Sequence, residues 1–244
     1  DIFVVVAFRM LPAAVYTIPP RGTFNVHVSL LPQYRGAAPI QWAIINGETK
    51  TGVTTFFLDE HTDTGDILRQ QEVSITDTDN AGTLHDKLMA AGAEIAVATL
   101  QDIESGNIHP IKQNLTPDTE LKPAPKIFKE DMLINWNDTA ENIYNKIRGL
   151  SPYPGAFSRI EFHDPKEEGV SKTMQIKLYQ CRITTLKSHS NPGTILIENG
   201  DQMLVFTQNY AISVENLQIE GKKRMNISDF LKGFRENYYT LKLF

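Results

Sequence analysis

The sequence has almost no cysteine and no long apolar run. Only Cys181 is a cysteine among the 244 residues, so no internal disulfide can form, and no Cys/His cluster has the spacing of metal ligands. No apolar run approaches the ~18 residues of a membrane-spanning helix, and no basic stretch followed by an apolar one marks a signal peptide. We therefore expect a cytoplasmic protein without a metal and without a membrane partner.

What the sequence does contain is typical of a packed globular protein. Hydrophobic residues make up 41% of the chain and the formal net charge is −5, which suits one large or two small domains. The charge is uneven: residues 1–124 carry 8 Lys+Arg and 15 Asp+Glu, whereas residues 125–244 carry 16 and 14. The more basic second half is compatible with an anionic partner, although charge alone is weak evidence for one.

The first half alternates between predicted strands and helices, which indicates an α/β domain with a mostly parallel, partial Rossmann-like sheet. The apolar run at residues 2–7 predicts a central strand, covered on both faces. A central strand needs neighbours on both sides, so we expect one or more βα units to be missing upstream. Further predicted strands lie at 23–28, 52–58 and 67–75, and predicted helices lie at 12–16, 39–45 and 81–103.

The second half changes character after a segment rich in proline and polar residues, KQNLTPDTELKPAPK. We divide the chain into a first domain at 1–107, a linker at 108–125 and a second domain at 126–244. The second domain has an amphipathic helix at 139–150, five short strand-like runs and a last helix at about 227–234. Five such strands predict a small β-barrel of the OB type.

Two polar residues interrupt the apolar alternation of the predicted strand TFNVHV. Residues two apart on a strand point to the same side, so Asn25 and His27 project together. An amide and an imidazolium are suitable hydrogen-bond donors to an oxyanion, and ligands of α/β sheets bind near the carboxyl ends of strands. The alternative, a structural pair bonded to loop backbone, is about equally compatible with the spacing alone.

An acidic turn, DEHTDTGD, follows the next strand. Its aspartates are Asp59, Asp63 and Asp66, and Gly65 permits an unusual backbone angle. A carboxylate beside His27 would favour the charged imidazolium and orient the ring. On pattern alone, a solvated acidic turn is the better interpretation.

Together these segments resemble the formyltransferases that use 10-formyltetrahydrofolate. The family pattern of N-x-H, S-L-L-P and an aspartate in a D-x-G turn matches Asn25 and His27, Ser29–Pro32, and Asp63. The segments RGAAPI, LKPAPKI, IRGLSPYPGAF and PGTIL are similar to the branch that formylates methionyl-tRNA. The resemblance covers nearly the whole chain, and it implies an N-terminal portion that this chain lacks.

The resemblance implies transfer of a formyl group from 10-formyltetrahydrofolate to the amino group of methionyl-initiator-tRNA. It assigns Asn25 and His27 as donors to the oxyanion and Asp63 as the group that holds His27 charged and helps move the proton. The folate pocket would be shaped by Ser29, Leu30, Leu31 and Pro32.

The resemblance also implies a tRNA-binding barrel in a monomeric protein. The densest basic cluster of the second domain consists of Lys222, Lys223 and Arg224, which we expect to contact tRNA phosphates together with Arg35 of the first domain. On composition alone the cluster is more often a solvated turn.

Two other functions stay open at this point. A formyltransferase acting on an amino-sugar nucleotide would share the N-x-H, SLLP and aspartate set, although RGAAP and PGTIL argue against it. A folate- or tRNA-binding module without catalysis is the alternative from a different class.

Overall fold

The computed structural model describes residues 1–6, 10–113, 120–163, 171–233 and 241–243. Three predicted segments extend beyond these ranges: residue 7 of the first strand, residues 114–119 of the linker and residue 234 of the last helix. The chain divides into two compact units, the first formed by Asp1–Ile44 and Glu48–Ile127, the second by Ile45–Gly47 and Phe128–Phe244. Within the described ranges, every helix is too short or too polar to cross a bilayer.

The first unit contains the alternating strands and helices that the periodicity predicts, close to the predicted bounds. In chain order they are β1 (Phe3–Val6), α1 (Ala13–Tyr16), β2 (Thr23–His27), α2 (Pro39–Ile45), β3 (Lys50–Phe57), β4 (Ile67–Ser74) and α3 (Ala81–Ser105).

The sheet of this unit is mixed, so the prediction of a mostly parallel sheet is wrong. Its order is β1-β2-β3-β4, with β1 parallel to β2 and β3 antiparallel to both β2 and β4. Parallel neighbours need a crossover of about a dozen or more residues. The turn at 58–66 that joins β3 to β4 is shorter than that, so β4 pairs with β3 in the antiparallel direction. In the described sheet β1 is an outer strand, and Phe3, Val4 and Val6 are exposed.

Packing against α3 decides which way β2 faces. Phe24 and Val26 lie in a core cluster with Leu84, Leu88 and Ile95 of α3, and burial of such side chains is the main stabilising contribution of this unit. Because alternate residues of a strand point to opposite sides, this packing leaves Asn25 and His27 on the other face of β2. The amphipathic pattern of α3 thus fixes the direction of the two polar side chains.

The start of α3 gives a pH-dependent contribution to stability through Asp79, which is 4% exposed. Burial by itself raises the pKa of Asp79, but hydrogen bonds from Lys87, Thr76 and Thr83 outweigh it and lower the pKa to about 2. This value lies below the ordinary ~3.9 of an unfolded chain, so the carboxylate contributes stability above about pH 4 that is lost as the pH falls towards 2.

We therefore expect Asp79→Asn to lower the free energy of unfolding by about 2 kcal/mol at neutral pH. The difference between the variant and the wild type should shrink between about pH 4 and pH 2. Urea unfolding of both proteins across this range measures it. A difference that stays constant with pH would contradict the assignment.

The second unit is rich in antiparallel strands. It contains a short 3₁₀ helix (Glu130–Met132), α4 (Ala140–Gly149), β5 (Ala156–His163), β6 (Ser171–Lys187), β7 (Ile195–Glu198), β8 (Gln202–Phe206), β9 (Tyr210–Ile219), β10 (Met225–Asn226), α5 (Ile227–Lys232) and β11 (Leu241–Leu243). The five predicted runs lie in or overlap β5 to β9. The strands β10 and β11 are too short for a periodic pattern to reveal them.

The strands of the second unit form one sheet in the order β11-β5-β6-β9-β8-β7, with β10 paired to β9. No ladder of hydrogen bonds joins β11 to β7 in the described residues, so what the structure establishes is a sheet-rich domain. Cys181 of β6 is buried, and this burial raises the pKa of its thiol. A buried thiol of this kind contributes packing and is a poor nucleophile.

Candidate active site

Asn25 and His27 lie on the face of β2 opposite the α3 core. The Oδ1 atom of Asn25 is buried and has no hydrogen-bond partner in the part of the chain that the structure describes. His27 is 7% exposed, and its Nε2 donates a hydrogen bond of 2.9 Å to the carbonyl of Tyr34. A carbonyl oxygen only accepts, so the hydrogen of this bond belongs to His27. The side chain of Asn25 and the Nδ1 atom of His27 are therefore the groups that remain for a ligand.

The acidic turn brings Asp63 towards the second ring nitrogen of His27. The distance from Nδ1 of His27 to Oδ2 of Asp63 is 3.9 Å, which is longer than a hydrogen bond. The same Oδ2 accepts a hydrogen bond of 2.9 Å from the backbone N–H of Gly36. The carboxylate is thus held beside the imidazole with a gap between them.

The turn itself is shaped by short-range hydrogen bonds and by one glycine. Asp59 accepts bonds from the N–H of His61 at 3.0 Å and from the hydroxyl of Thr64 at 2.7 Å. Asp63 has φ +56°, a left-handed conformation that aspartate tolerates better than most residues. A Cβ on Gly65 would lie 1.7 Å from the carbonyl oxygen of Phe57. Only glycine fits there, so the DTGD turn needs Gly65 at this position.

Polar side chains of β3 and β4 hydrogen-bond to the backbone of the SLLP loop, Ser29–Pro32. The hydroxyl of Thr54 donates to the carbonyl of Ser29 at 2.6 Å and accepts from the N–H of Leu31 at 3.1 Å. The Nε2 of Gln70 donates to the carbonyl of Leu31 at 2.9 Å. Ser29 and Leu31 are buried, whereas Leu30 and Pro32 are half-buried. Of the four predicted folate-pocket residues, Leu30 and Pro32 therefore have side-chain surface to offer a ligand.

Tyr34 is a site residue that sequence reasoning missed. Its backbone is left-handed, with φ +59°, and its carbonyl takes the hydrogen bond from His27. Its N–H donates to the carbonyl of Lys122 at 2.7 Å, and its hydroxyl donates to Glu48 at 2.6 Å. No local sequence signal marks a tyrosine for this role, because the contacts join distant parts of the chain.

The predicted linker packs against this site. The N–H of Ala124 donates to the carbonyl of Arg35 at 2.9 Å, and the N–H of Ala38 donates to the carbonyl of Ala124 at 3.1 Å. A Cβ on Gly36 would lie 2.4 Å from the carbonyl oxygen of Ala124. The described part of the linker therefore runs beside the RGAAP segment in a β-like bridge.

The predicted tRNA-contact residues lie in both units. The guanidinium of Arg35 donates to Oε1 of Gln113 from Nε and Nη2. Lys222, Lys223 and Arg224 are all exposed in the second unit. Arg224 donates to the amide oxygen of Asn216 and lies 4.3 Å from the ring centroid of Tyr179. No group of three acidic, histidine or cysteine side chains among the described residues is arranged to hold a metal ion.

Comparison with known proteins identifies the family to which this fold and site belong. Residues 1–100 match the family model described as formyl transferase, and residues 126–235 match that of the formyl transferase C-terminal domain. The fold and its polar site therefore define a formyltransferase. The chain is 49% identical over 246 residues to the methionyl-tRNA formyltransferase of Azobacteroides pseudotrichonymphae, covering 100% of this chain and 73% of that protein. It is 46% identical to that of Phocaeicola vulgatus, covering 96% and 71%. The chain belongs to the methionyl-tRNA formyltransferases.

A solved structure with the same fold is HypX from Aquifex aeolicus in complex with tetrahydrofolic acid. It superposes with a TM-score of 0.67 at 19% identity, and the match covers 96% of this chain and 39% of HypX. At this identity the likeness concerns the fold alone.

Proposed function

We propose that this protein transfers the formyl group of 10-formyltetrahydrofolate to the free amino group of methionyl-initiator-tRNA. The observation that carries the proposal is the convergence of Asn25, His27 and Asp63 on one site, with 3.9 Å between the imidazole and the carboxylate. Tetrahydrofolic acid bound to the similar fold of HypX supports a folate co-substrate. The product, N-formylmethionyl-tRNA, serves translation initiation, so we place the reaction in the cytoplasm.

The residues of the site suit each part of this reaction. The folate derivative supplies the formyl group, and the half-buried side chains of Leu30 and Pro32 offer it apolar surface. Asn25 donates its amide hydrogen to the formyl oxygen, where negative charge develops when the amine attacks the formyl carbon. The Oδ1 of Asn25 only accepts hydrogen bonds and has no described protein partner, so it remains for an N–H or O–H of a ligand, while the Nδ2 hydrogens serve the formyl oxygen.

His27 and Asp63 act as a pair. A protonated Nδ1 on His27 adds a second donor to the developing oxyanion, and Asp63 stabilises the positive charge of that imidazolium. Asp63 also accepts the proton that leaves the attacking amine. The new C–N bond forms to the methionyl nitrogen, the bond from the formyl carbon to folate N10 breaks, and Asp63 passes the amine's proton on to N10.

An assay with a labelled formyl group tests the proposal. Incubation of the protein with labelled 10-formyltetrahydrofolate and charged initiator tRNA should give labelled formylmethionyl-tRNA. Formylation of an amino-sugar nucleotide without formylation of methionyl-tRNA would contradict the proposal. Binding of both substrates without transfer would instead indicate a binding module.

We also propose that the second unit is an OB-type barrel that binds tRNA and that the protein acts as a monomer. The antiparallel sheet and the exposed basic cluster Lys222–Lys223–Arg224 support tRNA binding, because nucleic-acid affinity depends on cations that neutralise phosphates.

Replacing Lys222, Lys223 and Arg224 together with alanine should weaken tRNA binding and make it less sensitive to salt. Each lost phosphate contact lowers the slope of log affinity against log salt concentration by about 1. Filter binding of initiator tRNA across a salt series measures this slope. Lys232→Ala is the matched control, because Lys232 is exposed in the same unit and pairs with Asp229 at 3.0 Å. A triple variant with the wild-type slope would exclude this cluster from the tRNA interface.

A further inference from the structure

We propose that Gln113 is a positioning residue of the reaction, which clamps the turn that carries Asp63. This inference rests on the proposed function. Gln113 belongs to the segment predicted as a linker, and its sequence neighbourhood gives no sign of a role in catalysis. The structure brings its side chain between Arg35 and the DTGD turn.

All the hydrogen-bonding capacity of the Gln113 amide is used in this position. Its Oε1 accepts two bonds from the guanidinium of Arg35, at 3.2 Å from Nε and 2.6 Å from Nη2. Its Nε2 donates two bonds, at 3.0 Å to the carbonyl of Asp63 and at 2.8 Å to the carbonyl of Gly65. An amide has two acceptor sites and two donor hydrogens, so this set saturates it.

The partners also fix the orientation of the amide. A guanidinium only donates and a carbonyl only accepts, so Oε1 must face Arg35 and Nε2 must face the turn. Arg35 thereby holds the amide in the orientation that Asp63 and Gly65 require.

The clamp acts on a residue whose backbone needs support. Asp63 is left-handed at φ +56°, and an arrangement of this kind persists only where its surroundings hold it. The N–H of Gly36 holds the carboxylate at 2.9 Å, and Gln113 holds the carbonyls of Asp63 and Gly65. A displacement of a catalytic group by about 1 Å can lower a rate about a hundredfold, so loss of the clamp should reduce turnover without removing a group that touches substrate.

Two substitutions separate this role from simple packing. Gln113→Ala removes all four bonds. Gln113→Glu keeps an acceptor for Arg35 and adds a negative charge to that contact. It replaces the Nε2 donor by a second oxygen, which cannot donate to the carbonyls of Asp63 and Gly65 and repels them. If Gln113 only anchored Arg35, Gln113→Glu would match or exceed the wild type. If it clamps the turn, both variants should lose at least about tenfold in kcat, with KM for 10-formyltetrahydrofolate nearly unchanged.

The matched control is Gln33→Ala. The side chain of Gln33 also ties the loop to the linker, at 3.0 Å to the carbonyl of Glu120 and 2.8 Å from the N–H of Lys122. It makes no hydrogen bond to the Asp63 turn in the described residues. We expect this variant to keep the wild-type kcat.

Hydrogen–deuterium exchange provides a readout that does not depend on activity. A peptide covering residues 54–66 reports on the amide of Phe57, which donates to the carbonyl of Asp66 at 3.0 Å. Its exchange should be faster in both Gln113 variants and unchanged in Gln33→Ala. Wild-type exchange and wild-type kcat in Gln113→Glu would overturn the inference. Absence of formyl transfer in the wild type would overturn the proposed function instead, and the exchange result would still decide whether the clamp exists.

Discussion

The variant Asp63→Asn should lose at least about a hundredfold in kcat, the lower end of what general acid–base catalysis contributes. The amide oxygen of asparagine can still accept the hydrogen bond from the N–H of Gly36, which is 2.9 Å long in the wild type. What disappears is the negative charge that lies 3.9 Å from Nδ1 of His27 and the capacity to accept a proton. Steady-state kinetics of methionyl-tRNA formylation measure the loss.

A suitable control for this variant is Asp86→Asn. Asp86 lies on the exposed side of α3, where its carboxylate contacts the ring of His85 at 3.1 Å, and its substitution changes the net charge equally. The control should keep wild-type kinetics. A kcat of Asp63→Asn within about threefold of the wild type, well below the contribution of a catalytic base, would remove Asp63 from the mechanism.

Substitution of Gly65 by alanine should be the most damaging change to the fold of the site. The added Cβ would lie 1.7 Å from the oxygen and 2.9 Å from the carbon of the Phe57 carbonyl. These are backbone atoms of β3, so the clash can be relieved only by moving the strand or the turn. We expect a loss of at least about 2 kcal/mol in the free energy of unfolding, together with a strong loss of turnover as Asp63 shifts. Urea unfolding and formylation kinetics measure the two effects.

Gly92→Ala is the matched control for that experiment. Gly92 lies inside α3, and its added Cβ would meet only Cγ1 of Val26, at 3.6 Å, which is ordinary contact. Alanine is favoured over glycine in a helix interior by up to about 1 kcal/mol, so this variant should be as stable as the wild type or more so. Equal stability of the two alanine variants would show that the turn tolerates a side chain at Gly65.

The parts of the fold that depend on local patterns could be predicted from the sequence. The periodic apolar positions of α3 and the proline that begins α2 place both helices, and alternation in TFNVHV places Asn25 and His27 on one side of β2. The prediction of a mostly parallel sheet was wrong, because periodicity shows that a segment is a strand and does not show in which direction it pairs with its neighbours.

The supports of the site could not be predicted, since they are tertiary contacts that no local sequence pattern marks. Nothing around Tyr34 predicts that its carbonyl would accept the hydrogen bond of His27. Gln113 lies in a segment whose prolines and polar residues indicate a flexible linker, yet it contacts Arg35 and the Asp63 turn. Composition reports how a segment behaves alone, and tertiary contacts here override it. The proposed roles of Asn25, His27 and Asp63 depend on the resemblance as well as on geometry, and they stay predictions until kinetics test them.

The bond between His27 and the carbonyl of Tyr34 has a consequence for the path of protons. That carbonyl requires a hydrogen on Nε2 in both the neutral and the charged ring, so the ring has one tautomer when neutral and exchanges its proton at Nδ1 alone. Protonation therefore switches a single nitrogen from acceptor to donor, without rotation of the ring and without rearrangement of the loop behind it. In the proposed mechanism, His27 therefore gains and loses its proton at one nitrogen, the Nδ1 that lies 3.9 Å from Asp63.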